Sequence, residues 1–275
     1  MDTTDTTPII PKPVKQKRFA GFRKSLTDFF ASLYNINSFI IRFFKEAFLP
    51  PYEFKEIIRQ CYETGVRSFT LISLTGFIVG LIFTKQSRPS LAEFGATSWL
   101  PSLVSIAIMR ALAPLVTALI AAGKVGSSIG AELGSMRVTE QIDAMEVSGA
   151  NPLQYLVVTR ILAVTFMVPL LTIIGDVIGL IGGYIALNFT DNISYVLYFH
   201  KCVAAIDFSD FLPAFVKTIF FGFAIGFVGC YKGFNSNKGT ASVGIAANSA
   251  VVTASLWVFV IDAIAVQITS ILFYK

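Results

Sequence analysis

The chain has 275 residues, of which 54% are hydrophobic and only 14% are charged, and its formal net charge is +5. A soluble domain carries about 25% charged residues, so this composition argues against a soluble protein and indicates a membrane protein. The chain has one histidine, His200, and three scattered cysteines, Cys61, Cys202 and Cys230, which argues against a His-based metal site and a disulfide framework.

The N-terminal region is rich in Lys and Arg between Lys12 and Arg59. These residues flank an aromatic-rich stretch, so we interpret them as a cytoplasmic region that follows the positive-inside rule and not as a nucleic-acid site. Residues 1–23 are polar and predict a disordered cytoplasmic tail. In residues 24–65, apolar positions recur at helical spacing but charges interrupt them, which predicts interfacial amphipathic helices broken by a double proline.

Five later stretches are apolar and long enough to cross a bilayer, since a spanning helix needs about 20 residues. The predicted spans are 66–84, 99–122, 157–187, 211–231 and 244–273. The predicted fold class is therefore an all-α integral membrane protein. Lys and Arg are more frequent before the first span and after the second and fourth spans, which places the N-terminus in the cytoplasm and the C-terminus outside.

Residues 122–160 are too polar to span the membrane and too helical in pattern for a plain loop. We expect a short amphipathic helix from Glu132 to Val147, with an apolar face and an acidic face. Two interpretations stay open for this helix, namely docking of a cytosolic partner or a solvated surface helix. Close helix contact is expected where the second span leaves the membrane, at Gly123, Gly126 and Gly130.

Four charged residues interrupt the spans at a similar predicted depth, namely Arg110, Asp176, Lys217 and Asp262. A charge at the centre of a spanning helix costs about 2.5–3.5 kcal/mol, so we expect these residues to face inward as a buried intramembrane charge cluster. They either lock the bundle together, or Arg110 or Lys217 binds a lipid phosphate. The planar guanidinium of Arg110 suits phosphate better.

One face of the first span carries four apolar residues that could contact acyl chains of a substrate, although such a stripe more often reflects ordinary helix packing. These candidate substrate-binding residues are Leu74, Phe77, Ile78 and Leu81, in addition to Arg110.

Three runs carry a family resemblance. They are RALAPLVTALIAAGKVGSSIGAELGSM (110–136), RVTEQIDAMEVSGANPLQYLVVTR (137–160) and KTIFFGFAIGFVGCYKGFNSNKGTASVGIAANSAVV (217–252). Their ordered glycine and polar positions resemble the MlaE family of lipid-transport permeases. The chain departs from the family pattern at Ala111 and Ala113, where Glu and Gly are common, and at Lys124, where Arg is usual.

The resemblance implies a permease domain over residues 66–275 and a homodimer in the bacterial inner membrane. It also implies that the helix between the second and third spans couples to a cytoplasmic ABC ATPase, and that an MCE-domain lipid-binding protein sits on the periplasmic side. The implied cargo is phospholipid or a related hydrophobic molecule. By position, the candidate coupling residues are Glu132, Arg137, Glu140, Gln141, Asp143 and Met145.

The sequence has no G-x-x-x-x-G-K-[ST] phosphate loop. We therefore expect a transporter subunit that has no catalytic residues, metal or cofactor of its own, with ATP and Mg²⁺ bound by the partner ATPase. The alternative is an ion-coupled secondary transporter that uses Asp176 and Asp262, a class that typically shows internal repeats. An intramembrane enzyme is disfavoured, because the spans offer no H-E-x-x-H or similar constellation.

Overall fold

The computed structural model describes residues 15–50, 52–237 and 239–273, which are helical almost throughout. The helices are α1 Lys15–Ala47, α2 Phe54–Glu93, α3 Thr97–Val138, α4 Gln141–Val147, α5 Leu153–Asp191, α6 Tyr195–Ala204, α7 Phe208–Phe234 and α8 Thr240–Phe273. Helix α3 contains two π-helical turns, and α5 begins with one. The predicted all-α fold is confirmed.

The five helices α2, α3, α5, α7 and α8 are long and apolar enough to span a membrane, and each contains one of the five predicted spans. The protein is therefore a multi-pass membrane protein. Consecutive spans run in opposite directions, so α4 lies at one end of the bundle and α6 at the other. These are called the α4 end and the α6 end below.

The described N-terminal region contains one helix before the first span. Contacts divide the chain after Lys45. Helix α1 begins at Lys15, within the stretch 1–23 for which the sequence predicts a disordered tail; the preceding residues lie outside the described part of the chain. Residues 54–65 form one continuous helix with the first span in α2.

Glycines bring α2 and α5 into backbone contact. A Cβ atom built on Gly80 would lie 1.9 Å from the carbonyl oxygen of Gly179, and one on Gly76 would lie 3.0 Å from that of Gly175. Both pairs follow a small-xxx-small spacing, which allows membrane helices to approach closely. Any side chain at Gly80 would push the two helices apart.

A second glycine contact joins α3 to α7. A Cβ on Gly229 would lie 3.1 Å from the Gly126 carbonyl oxygen, and one on Gly233 would lie 2.9 Å from that of Gly130. The prediction of close contact is thereby confirmed for Gly126 and Gly130. It is wrong for Gly123, around which no atom lies within 4 Å of a built Cβ.

The α6 end has its own apolar core. Tyr198 and Cys202 of α6 are fully buried against α3, where Leu100 and Val104 are also fully buried. The Ser105 hydroxyl donates a hydrogen bond to the Cys202 carbonyl oxygen at 3.0 Å. The segment between the third and fourth spans therefore folds as a packed helix rather than as a free loop.

Candidate substrate cavity and coupling region

Arg110 lies in the first π-helical turn of α3, Ile108–Leu112. Four residues later stands Pro114, which has no N–H to donate to the Arg110 carbonyl oxygen. That carbonyl instead accepts a hydrogen bond from Lys217 Nζ of α7 at 2.7 Å. Because of the proline and the π turn, the Arg110 carbonyl oxygen is available as an acceptor inside the bundle, and the Lys217 ammonium donates to it.

Lys217 is the centre of the charged network. Its side chain is 5% exposed, and Nζ lies 2.8 Å from Asp262 Oδ1 of α8. With the hydrogen bond to Arg110, this ammonium connects three spanning helices. A buried cation needs such partners, because the hydrocarbon offers none.

The Arg110 guanidinium pairs with Asp210, with Nε 3.3 Å from Oδ1. Asp210 lies in the first turn of α7, where the positive end of the helix dipole favours a carboxylate. Sequence reasoning missed this partner, because the predicted fourth span began at residue 211 and left Asp210 in a loop. An acidic residue just before an apolar run is a known signal of a helix N-terminus and could have identified it.

Asp176 of α5 is 6% exposed, and its Oδ1 has no hydrogen-bond partner among the described residues. Lys217 is the cation that acts on it electrostatically. The structure therefore brings Lys217, Asp262 and the Arg110 backbone into direct contact. It does not place Asp176 in an ion pair with either predicted cation.

A cavity of about 360 Å³ lies beside these charges. Its lining includes Arg110, Asp210 and Lys217 together with mostly apolar residues of α7 and α8. The lining residues besides the three charged ones are Ala111, Pro213, Ala214, Ala265, Val266, Thr269 and Ser270. The Arg110 side chain is 37% exposed. The cavity thus combines a cation with apolar walls.

The apolar residues predicted to bind substrate lie elsewhere. Leu74 and Ile78 are 56% and 42% exposed on α2, and Phe77 and Leu81 are partly buried there. None of these four lines the cavity beside Arg110. Within one copy of the chain, the predicted lipid-facing stripe and Arg110 are separate features.

The predicted helix from Glu132 to Val147 is wrong as a single element. Helix α3 continues to Val138, and α4 begins at Gln141. Between them, the Thr139 hydroxyl donates to the Ser135 carbonyl oxygen at 2.9 Å, and Glu140 adopts a left-handed conformation with φ of 58°. Such a conformation costs about 1–2 kcal/mol for a residue other than glycine and ends the helix.

The candidate coupling residues fall into two groups. Glu132 belongs to α3 and pairs with Arg160 of α5 at 2.7 Å; Arg160 is 1% exposed, and sequence reasoning did not identify it. Arg137 of α3 forms an ion pair with Asp143 of α4. These three candidate coupling residues therefore form ion pairs at the α4 end.

The second group lies on α4 and next to it. Glu140 and Gln141 are exposed, and Met145 is partly buried. Ile142 is fully buried and anchors the helix, whereas Val147 is 91% exposed at its end. This exposed valine at the end of α4 is a surface feature that sequence reasoning did not predict, since Val147 was treated only as a helix boundary.

Comparison with known protein families identifies the family of this chain. The profile of the family described as Permease MlaE matches residues 57–268. The chain belongs to the MlaE permease family. The match includes all of the cavity-lining residues except Thr269 and Ser270.

Relatives of this MlaE-family permease are found in distant organisms. A probable ABC transporter permease protein of Rickettsia typhi is 36% identical over 77% of this chain and 82% of its own length. Proteins of the same description from Synechocystis and Pyropia yezoensis are 32% and 36% identical, each over 75% of this chain and 78% of their own length. The chain is therefore a permease of an ABC transporter, which implies an ATPase partner and disfavours an ion-coupled secondary transporter.

Proposed function

We propose that this permease moves phospholipid, or a related amphiphile, between the bacterial inner membrane and the periplasmic side. The observation that carries the proposal is the cavity in which Arg110 faces the same space as the apolar residues of α8. A guanidinium forms strong charge-assisted hydrogen bonds with phosphate. The apolar wall suits the beginning of an acyl chain.

ATP hydrolysis is proposed to act on the permease through α4. Its exposed residues are polar at its start, with Glu140 and Gln141, and include the apolar Val147 at its end, and interfaces commonly combine an apolar centre with a polar rim. The pair between Arg137 and Asp143 would transmit a push on α4 into α3, which also carries Arg110. ATP and Mg²⁺ belong to the partner ABC ATPase in this proposal.

The assembly is proposed to be a homodimer with an MCE-domain protein at its periplasmic side. The Lys- and Arg-rich N-terminal region supports a cytoplasmic α4 end and a periplasmic α6 end. At the α6 end, a cleft of about 1070 Å³ lined by Trp99, His200 and Lys201, among others, offers room for a partner. Exposed apolar residues on α2, such as Leu74 and Ile78, are compatible with contact to lipid or to a second copy.

The test is transport by the assembled complex in vesicles after Arg110→Ala. We expect ATP-driven lipid transfer to fall about tenfold to a hundredfold, since a hydrogen bond to a charged group contributes about 1.5–3 kcal/mol. Assembly and ATP hydrolysis should persist. The control is Lys55→Ala, whose side chain is exposed on α2 and does not line the cavity.

Arg110 would have a purely structural role if the Arg110→Ala complex failed to assemble, and the lipid proposal would then lose its support. Affinity purification of the wild-type chain in mild detergent, with mass spectrometry of bound proteins and lipids, tests the partners separately. An ATPase and an MCE-domain protein are the expected companions.

A further inference from the structure

Resting on the proposed function, we infer that Arg110 and Asp210 together select a zwitterionic aminophospholipid. In this arrangement the lipid phosphate binds the Arg110 guanidinium, and the lipid ammonium binds the Asp210 carboxylate. Asp210 is then a specificity-determining residue for the headgroup.

The inference starts from the charge balance of the cavity. Its charged lining residues are Arg110, Asp210 and Lys217. Lys217 is already engaged by Asp262 and by the Arg110 carbonyl oxygen. Arg110 thus pairs with Asp210, and Lys217 pairs with Asp262. These two ion pairs together carry no net positive charge that would attract an anionic headgroup.

Binding of a phosphate must disturb the existing pair between Arg110 and Asp210, whose Nε and Oδ1 atoms are 3.3 Å apart. The Asp210 side chain is only 9% exposed. A lipid with a net negative charge would compete with Asp210 for the guanidinium and place a second anion beside this buried carboxylate. Removing one partner from a buried pair is strongly unfavourable.

A zwitterionic headgroup avoids that penalty. Its phosphate replaces Asp210 as the partner of Arg110, and its ammonium replaces Arg110 as the partner of Asp210. One ion pair becomes two, and the net charge of the cavity does not change. The short ethylene linker of an ethanolamine headgroup suits two side chains that already touch each other.

The dimensions agree with a headgroup site. A volume of about 360 Å³ lies at the lower end of the range of about 300–1,000 Å³ typical of small-molecule sites, so the cavity holds a headgroup and not a whole lipid. The acyl chains would leave past Val266 of α8, which lines the cavity and is 56% exposed. An amphiphile therefore enters with its polar end inward.

The test uses the full-length chain with its co-purifying partners in mild detergent, equilibrated with equal amounts of phosphatidylethanolamine and phosphatidylglycerol. Bound lipid is then quantified by mass spectrometry. We expect the wild type to enrich phosphatidylethanolamine about tenfold, as a modest share of the buried-charge penalty would produce. Asp210→Asn should bring the ratio close to one, whereas Asp210→Glu should preserve the enrichment.

A second measurement changes the lipid rather than the protein, so it does not depend on how Asp210→Asn folds. N-acetylated phosphatidylethanolamine keeps the phosphate but has no ammonium, and the wild type should not enrich it over phosphatidylglycerol. Equal binding of both natural lipids by the wild type, or enrichment of the acetylated lipid, would overturn the inference while leaving the proposed function intact. Absence of any bound phospholipid would overturn both.

Discussion

Lys217 Nζ of α7 lies 2.8 Å from Asp262 Oδ1 of α8, and the two side chains are 5% and 20% exposed. No other described cation forms an ion pair with Asp262. The pair therefore connects the last two spanning helices through an almost fully buried ammonium.

Removal of one member of this pair should destabilise the protein. Asp262→Asn removes the carboxylate charge that pairs with the buried Lys217 ammonium, and we expect a loss of about 3–5 kcal/mol, as found for broken buried pairs. The apparent Tm in detergent measures the effect. The double variant Lys217→Met with Asp262→Leu should be more stable than Asp262→Asn, because it removes both members of the pair and leaves neither as a buried unpaired charge.

Lys85→Met is the matched control for that experiment, because Lys85 is exposed on α2 and forms no ion pair among the described residues. Its Tm should equal that of the wild type. An Asp262→Asn variant with a wild-type Tm would show that the pair contributes nothing to stability.

The contact between Gly80 and Gly179 makes a second prediction. A Cβ at Gly80 would lie 1.9 Å from a backbone oxygen, so Gly80→Ala must separate α2 from α5. We expect a loss of about 1–3 kcal/mol, the usual cost of overpacking, seen as a lower Tm. Gly244→Ala is the control, since no atom lies within 4 Å of a Cβ built there, and a helix gains from alanine.

The helices themselves could be predicted from the sequence, since a chain in hydrocarbon must satisfy its backbone hydrogen bonds within each apolar stretch. Which helices pack against each other could be predicted only in part. The spacing of Gly76 and Gly80 on α2, and of Gly175 and Gly179 on α5, is a readable signal of close packing that the sequence analysis did not use. Which helix each glycine contacts is fixed by the whole bundle.

The charged residues could be identified from the sequence, but their pairing across helices could not. Arg110, Lys217 and Asp262 were identified because a charge in a span is conspicuous. The pairing of Arg110 with Asp210, and of Glu132 with Arg160, joins residues from different helices and has no local pattern. The helix end at Glu140 was missed because no glycine or proline marks it.

Cys202 makes a prediction about alkaline pH. Burial of its thiol between α6 and α3 raises its pKa from 9.0 to about 11, although the nearby polar side chains of Tyr198 and Ser105 act in the opposite direction. The folded protein therefore holds this proton more tightly than the unfolded chain does. The resulting stabilisation is complete below pH about 9 and is lost as the pH rises through about 11.

The Tm of the wild type should accordingly fall more steeply between these two pH values than that of Cys202→Ala, which has no thiol to ionise. Cys61→Ala, which changes a partly buried cysteine on α2, should keep the steep fall. Parallel pH profiles for the wild type and Cys202→Ala would contradict the assignment.

The exposed end of α4 provides the prediction that bears most directly on energy coupling. Val147 is 91% exposed, whereas Ile142 on the same helix is fully buried. If α4 docks on the ATPase, Val147→Asp places a charge in the apolar centre of that interface, where a few residues usually dominate the binding energy. We expect co-purification of the ATPase to fall about tenfold, with the Tm of the isolated permease unchanged because the side chain packs on little else.

Val147→Leu keeps the apolar character and should retain the ATPase, which separates loss of an apolar contact from a general effect of substitution. Glu146→Gln, one residue earlier and also exposed, should have little effect on either measurement. Equal recovery of the ATPase with Val147→Asp and Val147→Leu would show that the coupling surface is not on α4. The proposed transmission of motion from α4 through Arg137 and Asp143 to Arg110 would then be wrong.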